Sequence, residues 1–395
     1  MRPCLIRHMC PTIDSRILGN RRGKLPGHKN SALKPIAALC LLMIALAARC
    51  EPTNEFHEPF LKFCNLANAD LNSPKRHVPF YQDSYAVRAL AVAYDITGNT
   101  NFLNTCRQWS DRMLKSQGGM SPAGAYYMNY DRRPGITNVP SSNTNAALGW
   151  YVADSSCIAM GILATAVRCP SPVEKARYLD SVKSFTDLVL KNYLGPHGGI
   201  CNGEWPTSRD EWWCSSGTFG SLLFLLYDET GDPRYRDAAL KVVEWLNNVD
   251  LETAAPFTLK QQGASMPMYL VEAYSAAWPH LAAGSPHLKG AQTQMKKCLD
   301  WMAHHQASRG NDVAAVDYHA QWGSKMGGLP FHMLVYARYI KAQKDLVPDA
   351  DRELRYLLGV LDDDPPTLSQ LAAFAVYSLA ERSAPGAIYR CSPSK

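Results

Sequence analysis

The 395-residue sequence contains no Cys-x-x-Cys pair and no His-Glu-x-x-His run, so it offers the ligand spacing of neither a structural zinc site nor a zincin. Stretches that alternate apolar and polar residues with a period of two are few, which argues against a β-sheet body. Long apolar runs are scarce as well. The run from Pro35 to Ala48 has 14 residues, short of the roughly 20 that span a bilayer as a helix. Basic excess is missing from the body of the chain. The formal charge is +6, but residues 1–49 hold nine Lys/Arg and one Asp, which leaves 32 basic against 34 acidic residues in the remainder. That balance excludes a nucleic-acid footprint on the folded part. Nothing in the sequence calls for a metal or another cofactor.

What is present begins with an export signal. Arg21, Arg22, Lys24 and Lys34 precede the apolar run, which closes with an Ala45-Leu46-Ala47 cleavage-like triplet. Residues 1–49 therefore read as a basic leader plus signal peptide, and 50–395 as one folded domain, secreted or periplasmic, with no membrane span once the signal is removed. Lipid anchoring at Cys50 is disfavoured, because Arg49 stands where lipoprotein signals carry a small residue. Export permits disulfides. Of the eight cysteines beyond Cys50, Cys201 and Cys214 flank a Trp-rich loop and form the expected pair, Cys64 and Cys391 offer a tie between the termini, and buried thiols are the alternative.

The strongest internal signal is a repeat. Tyr94-Asp95-Ile96-Thr97-Gly98-Asn99, followed by Phe102, is echoed by Tyr227-Asp228-Glu229-Thr230-Gly231-Asp232, followed by Tyr235. In both copies an apolar helix ends at a Thr-Gly turn and a more amphipathic helix begins. Runs rich in Ala, Gly and Ser, such as CIAMGILATAV and GTFGSLLFLLY, alternate with amphipathic ones along the whole chain. About twelve helices in six hairpins are expected, with the last pairing with the first. The fold class is therefore all-α, an (α/α)6 toroid preceded by a signal peptide. Among the inner helices, the second is expected from about Ala146 and the third from Gly217.

Two long connections, 118–145 and 194–216, lead into inner helices and should gather at one mouth of the ring. Asp83 and Asp154 each stand at an inner-helix entrance, where a carboxylate either caps backbone N–H groups or does acid/base work on a sugar. Around them lie aromatic residues suited to stacking on sugar rings: Tyr126, Tyr127, Tyr130, Trp150, Tyr151, Trp205, Trp212 and Trp213. Arg132, Arg133 and Arg209 would hold an acidic substituent. His77, His197, His319 and His332 are further acid/base candidates. Asp362-Asp363-Asp364 reads as a solvated turn.

HVPFYQDSYAVRAL around Asp83, WYVADSSCIAMGIL around Asp154 and WWCSSGTFGSLLFLLYDETGD at the third inner helix resemble the unsaturated uronyl hydrolases of glycoside hydrolase families 88 and 105. The likeness spans roughly residues 76–248. It implies an exported hydrolase of unsaturated uronyl or related acidic oligosaccharides. In that family's mechanism Asp154 would protonate the C4=C5 vinyl ether and direct water to C5, with Asp83 assisting. One departure is that Ser215-Ser216-Gly217 lacks the arginine this family commonly carries there, so carboxylate recognition would fall to Arg209 or the Arg132-Arg133 pair. A polysaccharide lyase on the same ring remains open, using Asn143, Asn145, Tyr127, His197 and Arg133 for β-elimination. So does a non-catalytic secreted glycan-binding protein. An epimerase of the N-acylglucosamine type shares the ring but acts in the cytosol, against the export signal.

Overall fold

The computed structural model describes residues 55–74, 76, 78–129, 150–203, 210–253, 267–307, 327–340, 345–361 and 367–389. Twelve α-helices occur among them: α1 (His57–Asp70), α2 (Phe80–Thr97), α3 (Thr100–Gln117), α4 (Val152–Ala166), α5 (Pro172–Asn192), α6 (Trp213–Thr230), α7 (Pro233–Asn248), α8 (Pro267–Ala277), α9 (Pro286–Ala307), α10 (Leu329–Tyr339), α11 (Val347–Val360) and α12 (Gln370–Ser383). The even-numbered helices pack side by side in the order α2, α4, α6, α8, α10, α12 and back to α2, so the inner ring is closed. Odd-numbered helices lie outside it. This is the (α/α)6 toroid expected from the sequence.

Side-chain pattern explains the two layers. In α4, every residue from Val152 to Ala166 except Asp154 is buried, as fits a helix with neighbours all round. Outer helix α3 buries only Phe102, Leu103, Thr105, Cys106, Trp109, Ser110 and Met113, one stripe at helical spacing. Each large apolar side chain removed from water in this way contributes about 1.5–3 kcal/mol. Small residues let the inner helices approach closely. A Cβ on Gly217 would stand 2.6 Å from the Tyr269 carbonyl of α8.

The repeated turn works as the sequence suggests. Gly98 and Gly231 end α2 and α6 at φ 67° and 70°, left-handed values that a side chain resists. Asn99 and Asp232 then accept hydrogen bonds from the N–H of Asn101 and Arg234, capping α3 and α7. These inner-to-outer turns are short, whereas the outer-to-inner connections are long, running for example from Gln117 to Val152. The first turns of all six inner helices therefore share one mouth of the ring.

Below the mouth the ring is filled. Arg88 of α2 forms an ion pair with Glu272 of α8, the helix diametrically opposite. The Tyr377 hydroxyl donates to Glu272 Oε1 at 3.0 Å, the Tyr85 hydroxyl donates to Oε2 at 3.3 Å, and the hydroxyls of Tyr377 and Tyr389 lie 3.0 Å apart. Tyr389 belongs to a 3-10 turn, Ala387–Tyr389, that follows α12. The axis is thus a packed polar core.

Three sequence expectations are corrected. Helix α4 begins at Val152 rather than Ala146, and α6 at Trp213 rather than Gly217, because Ser216 N–H already bonds to the Trp212 carbonyl. Cys201 and Cys214 are buried thiols, not a disulfide. An isolated bridge sets Cys201 opposite Glu211, which leaves Cys214 inside the first turn of α6. Cys64 is also a buried thiol, and Cys391 lies outside the described residues.

Candidate active site

Two carboxylates occur in the first turns of the inner helices among the described residues, Asp83 on α2 and Asp154 on α4. Their surroundings differ. Asp83 is 1% exposed, and its Oδ1 accepts from Arg76 Nε at 2.8 Å and Nη2 at 2.6 Å. Arg76 also donates through Nη1 to Asp70 Oδ2 and to the Leu368 carbonyl, both at 2.6 Å. The group fastens α1, α2 and the approach to α12. Burial raises the Asp83 pKa, while Arg76, Arg112 and Trp109 act against that rise. The last two belong to outer helix α3. Asp83 is therefore enclosed within the wall of the ring, which corrects its expected place in an open cleft.

Asp154 is only half buried. Its charge is felt by the Cys157 thiol and by the Tyr269 phenol on α8, and Tyr269 also feels Tyr81 of α2 and Cys214 of α6. Four inner helices thus converge near Asp154. Tyr81 accepts from Gln370 Nε2 of α12 at 2.9 Å, closing the seam between first and last inner helices. On the rim, Phe80 N–H donates to the Met128 carbonyl at 3.0 Å and Tyr151 N–H approaches Met128 Sδ at 3.2 Å. Met128 is wedged between the entrances of α2 and α4.

The aromatic residues divide by burial. Trp150 and Trp213 are 0% exposed. Trp150 packs edge-on against Tyr193 and against Gly203, where a Cβ would stand 2.9 Å from its ring. Both tryptophans are core, which corrects their expected role as sugar platforms. Tyr126 is core too, its hydroxyl 2.8 Å from Ser181 Oγ. Tyr127, Tyr151 and Trp212 are half buried at the entrance side. The Tyr127 ring meets Phe80 edge-on at 6.0 Å.

His197 lies elsewhere. Its side chain is 77% exposed in the Leu194–Ile200 hairpin, with Nδ1 2.9 Å from Glu211 Oε2. Neighbouring Gly198 and Gly199 rest on Lys241 and Trp245 of outer helix α7, so His197 is carried away from the central mouth. His332 is at the mouth, in the first turn of α10, but it is 1% exposed. Burial pulls its pKa down to about 3, and it stays neutral. Tyr130, Arg132, Arg133, Asn143, Asn145, Trp205, Arg209, His77, His319 and Asp362–Asp364 lie outside the described residues.

Sequence reasoning missed Arg76 and Asn202. Arg76 was legible only as one more surface arginine. Asn202 stands in the second long connection, yet its carbonyl accepts from Val152 N–H at the start of α4 and its Oδ1 from Ser215 Oγ in α6. No group of three or more His, Cys, Asp or Glu side chains suited to a metal occurs among the described residues.

No protein-family model matches the sequence, and no curated protein matches it. Solved structures do. An α-1,6-mannanase of glycoside hydrolase family 76 from a Salegentibacter species superposes with a TM-score of 0.56 at 12% identity, over 84% of this chain and 99% of that one. A family 76 mannosidase from Bacteroides thetaiotaomicron gives 0.54 at 12%, over 83% and 97%. An unsaturated glucuronyl hydrolase specific for heparin gives 0.51 at 11%, over 83% and 98%. At such identities the likeness establishes the fold.

Proposed function

We propose that the chain is a secreted glycoside hydrolase that acts on oligosaccharides with Asp154 as both acid and base, and that its substrates end in an unsaturated uronyl residue. One observation carries this reading. Asp154 is the only carboxylate in the described inner-helix first turns that is not enclosed in the wall. Hydrolysis by two carboxylates needs a second one about 5–9.5 Å away across the bond, and Asp83, held by Arg76, is ill placed to serve. Hydration of a vinyl ether needs only one. Asp154 delivers a proton to C4, the positive charge develops at C5 and the ring oxygen, water adds at C5, and the regenerated carboxylate takes the water proton. The resulting hemiketal opens and releases the aglycone. The heparin-specific relative supports the same substrate class.

A second reading is hydrolysis of an α-mannoside. It is favoured by the family 76 relatives, one solved with α-1,6-mannotetrose as an inactive variant carrying two Asp-to-Ala changes. Asp154 has Ala153 and Ser155 beside it, and the consecutive aspartates of this sequence are Asp362–Asp364. Ultraviolet absorbance of the C4=C5 bond separates the readings. Loss of absorbance from lyase-generated oligosaccharides supports the uronyl hydrolase, and Asp154→Asn should lower that rate by about 10²–10⁴-fold. A gain from intact polyuronate would mean a lyase. Reducing ends released from α-1,6-mannan, with no absorbance change, would favour the mannosidase.

A further inference from the structure

Asn202 is fixed more tightly than a loop residue needs to be. Its carbonyl accepts the first N–H of α4, from Val152 at 2.9 Å. Its side-chain Oδ1 accepts from Ser215 Oγ at 3.0 Å, the third residue of α6. Next to it in sequence, Cys201 is bridged to Glu211, and Gly203 lies flat on Trp150 and Val152. The amide plane is therefore set from both ends, between the entrances of two inner helices. Yet its Nδ2 has no hydrogen-bond partner, although Asn202 is 5% exposed. A buried donor left unpaired costs about 1–3 kcal/mol. A fold that wanted only the two anchoring bonds would not need an NH2 group there.

The position gives the amide a use. Val152, which Asn202 grips, stands two residues before Asp154 on the same turn of α4. Resting on the proposed function, we infer that Asn202 is a substrate-binding residue whose Nδ2 donates to an oxygen of the sugar on which Asp154 acts. A neutral amide suits a hydroxyl, ring or carboxyl oxygen alike. Because Oδ1 is held by Ser215, Nδ2 is the side of the amide left for a ligand to take, with its rotamer already set.

The test uses the full chain labelled uniformly with 15N, the Asn202 side-chain signal being assigned by its loss in Asn202→Asp. The probes are a lyase-generated unsaturated uronyl disaccharide and, separately, α-1,6-mannotetrose. The expected result is a saturable shift of the Asn202 Nδ2 signal with one probe, and about 10-fold weaker binding of that probe by Asn202→Asp at unchanged melting temperature. An Asn202 signal that stays still while backbone amides near Tyr151 move would overturn the inference and leave the proposed function standing. If Asn202 shifts but Asp154→Asn retains full turnover, the inference stands and the acid assignment falls. No shift at any amide with either probe overturns both.

Discussion

Asp83 and Asp154 show how far a residue's position in the sequence pattern fixes its role. Each precedes an apolar inner run, and each falls in the first turn of its helix. What separates them is Arg76, seven residues before Asp83, which takes that carboxylate into the wall. Helical spacing reveals a periodic face, but not which neighbour will cover one polar side chain at its end. Asp83→Asn should therefore act on stability, lowering it by about 1.5–3 kcal/mol, because Arg76 loses its charge-assisted bonds to α2 while keeping Asp70. Asp154→Asn should leave the unfolding curve in place, and urea titrations of both variants make the comparison. A result with the two effects exchanged would refute the assignment. His332 supplies a pH signature. Its pKa is depressed from 6.5 to about 3 by burial, so the unfolded chain takes up a proton before the folded one as pH falls. Its contribution is complete above about 6.5 and is lost toward about 3, by up to about 1.4 kcal/mol per pH unit. Between pH 7 and pH 5, wild type should lose roughly 2 kcal/mol more than His332→Leu in urea unfolding. Equal losses would mean that the folded protein protonates His332.

At the level of the helix pair, the sequence was most readable where chemistry is local. The Thr-Gly-Asn and Thr-Gly-Asp turns announced hairpins because only a left-handed residue followed by a capping oxygen makes that ending economical. Gly98→Ala and Gly231→Ala should each cost about 1–2 kcal/mol and add when combined, since they end different hairpins. Thermal melts of the single and double variants check this. Ser215 and Ser216 misled because hydroxyls resemble a loop. In the structure they sit in the first turn of α6, Ser216 Oγ receiving the Ile200 N–H at 2.8 Å. Trp150 and Trp213 misled for a related reason. A tryptophan among Gly and Asn looks like a platform, whereas its burial depends on what packs over it from elsewhere in the chain. Gly217→Ala, which drives a methyl toward the Tyr269 carbonyl, should destabilise by roughly 1–3 kcal/mol. An unchanged melting temperature would show that α6 and α8 can separate at no cost.

At the scale of the molecule, the ring was legible from the count and alternation of helices, but its axis was not. Arg88 and Glu272 are 184 residues apart in sequence, and nothing local pairs them. Arg88→Met should destabilise by about 3–5 kcal/mol, and adding Glu272→Gln should recover part of that loss, because the orphaned buried charge is then gone. A double variant no more stable than the single one would mean that the pair does not act as a unit. The parallel course of the inner helices has an electrostatic consequence. Each N-terminus is the positive end of its helix's peptide dipoles, worth roughly half a charge, and six of them face the same entrance. The chain thereby sets up an attractive potential for anions out of its peptide dipoles alone, with no first-turn lysine or arginine required. For an acidic sugar, capture should be fastest in dilute buffer and slow as added salt shortens the reach of that potential to about 10 Å at 0.1 M.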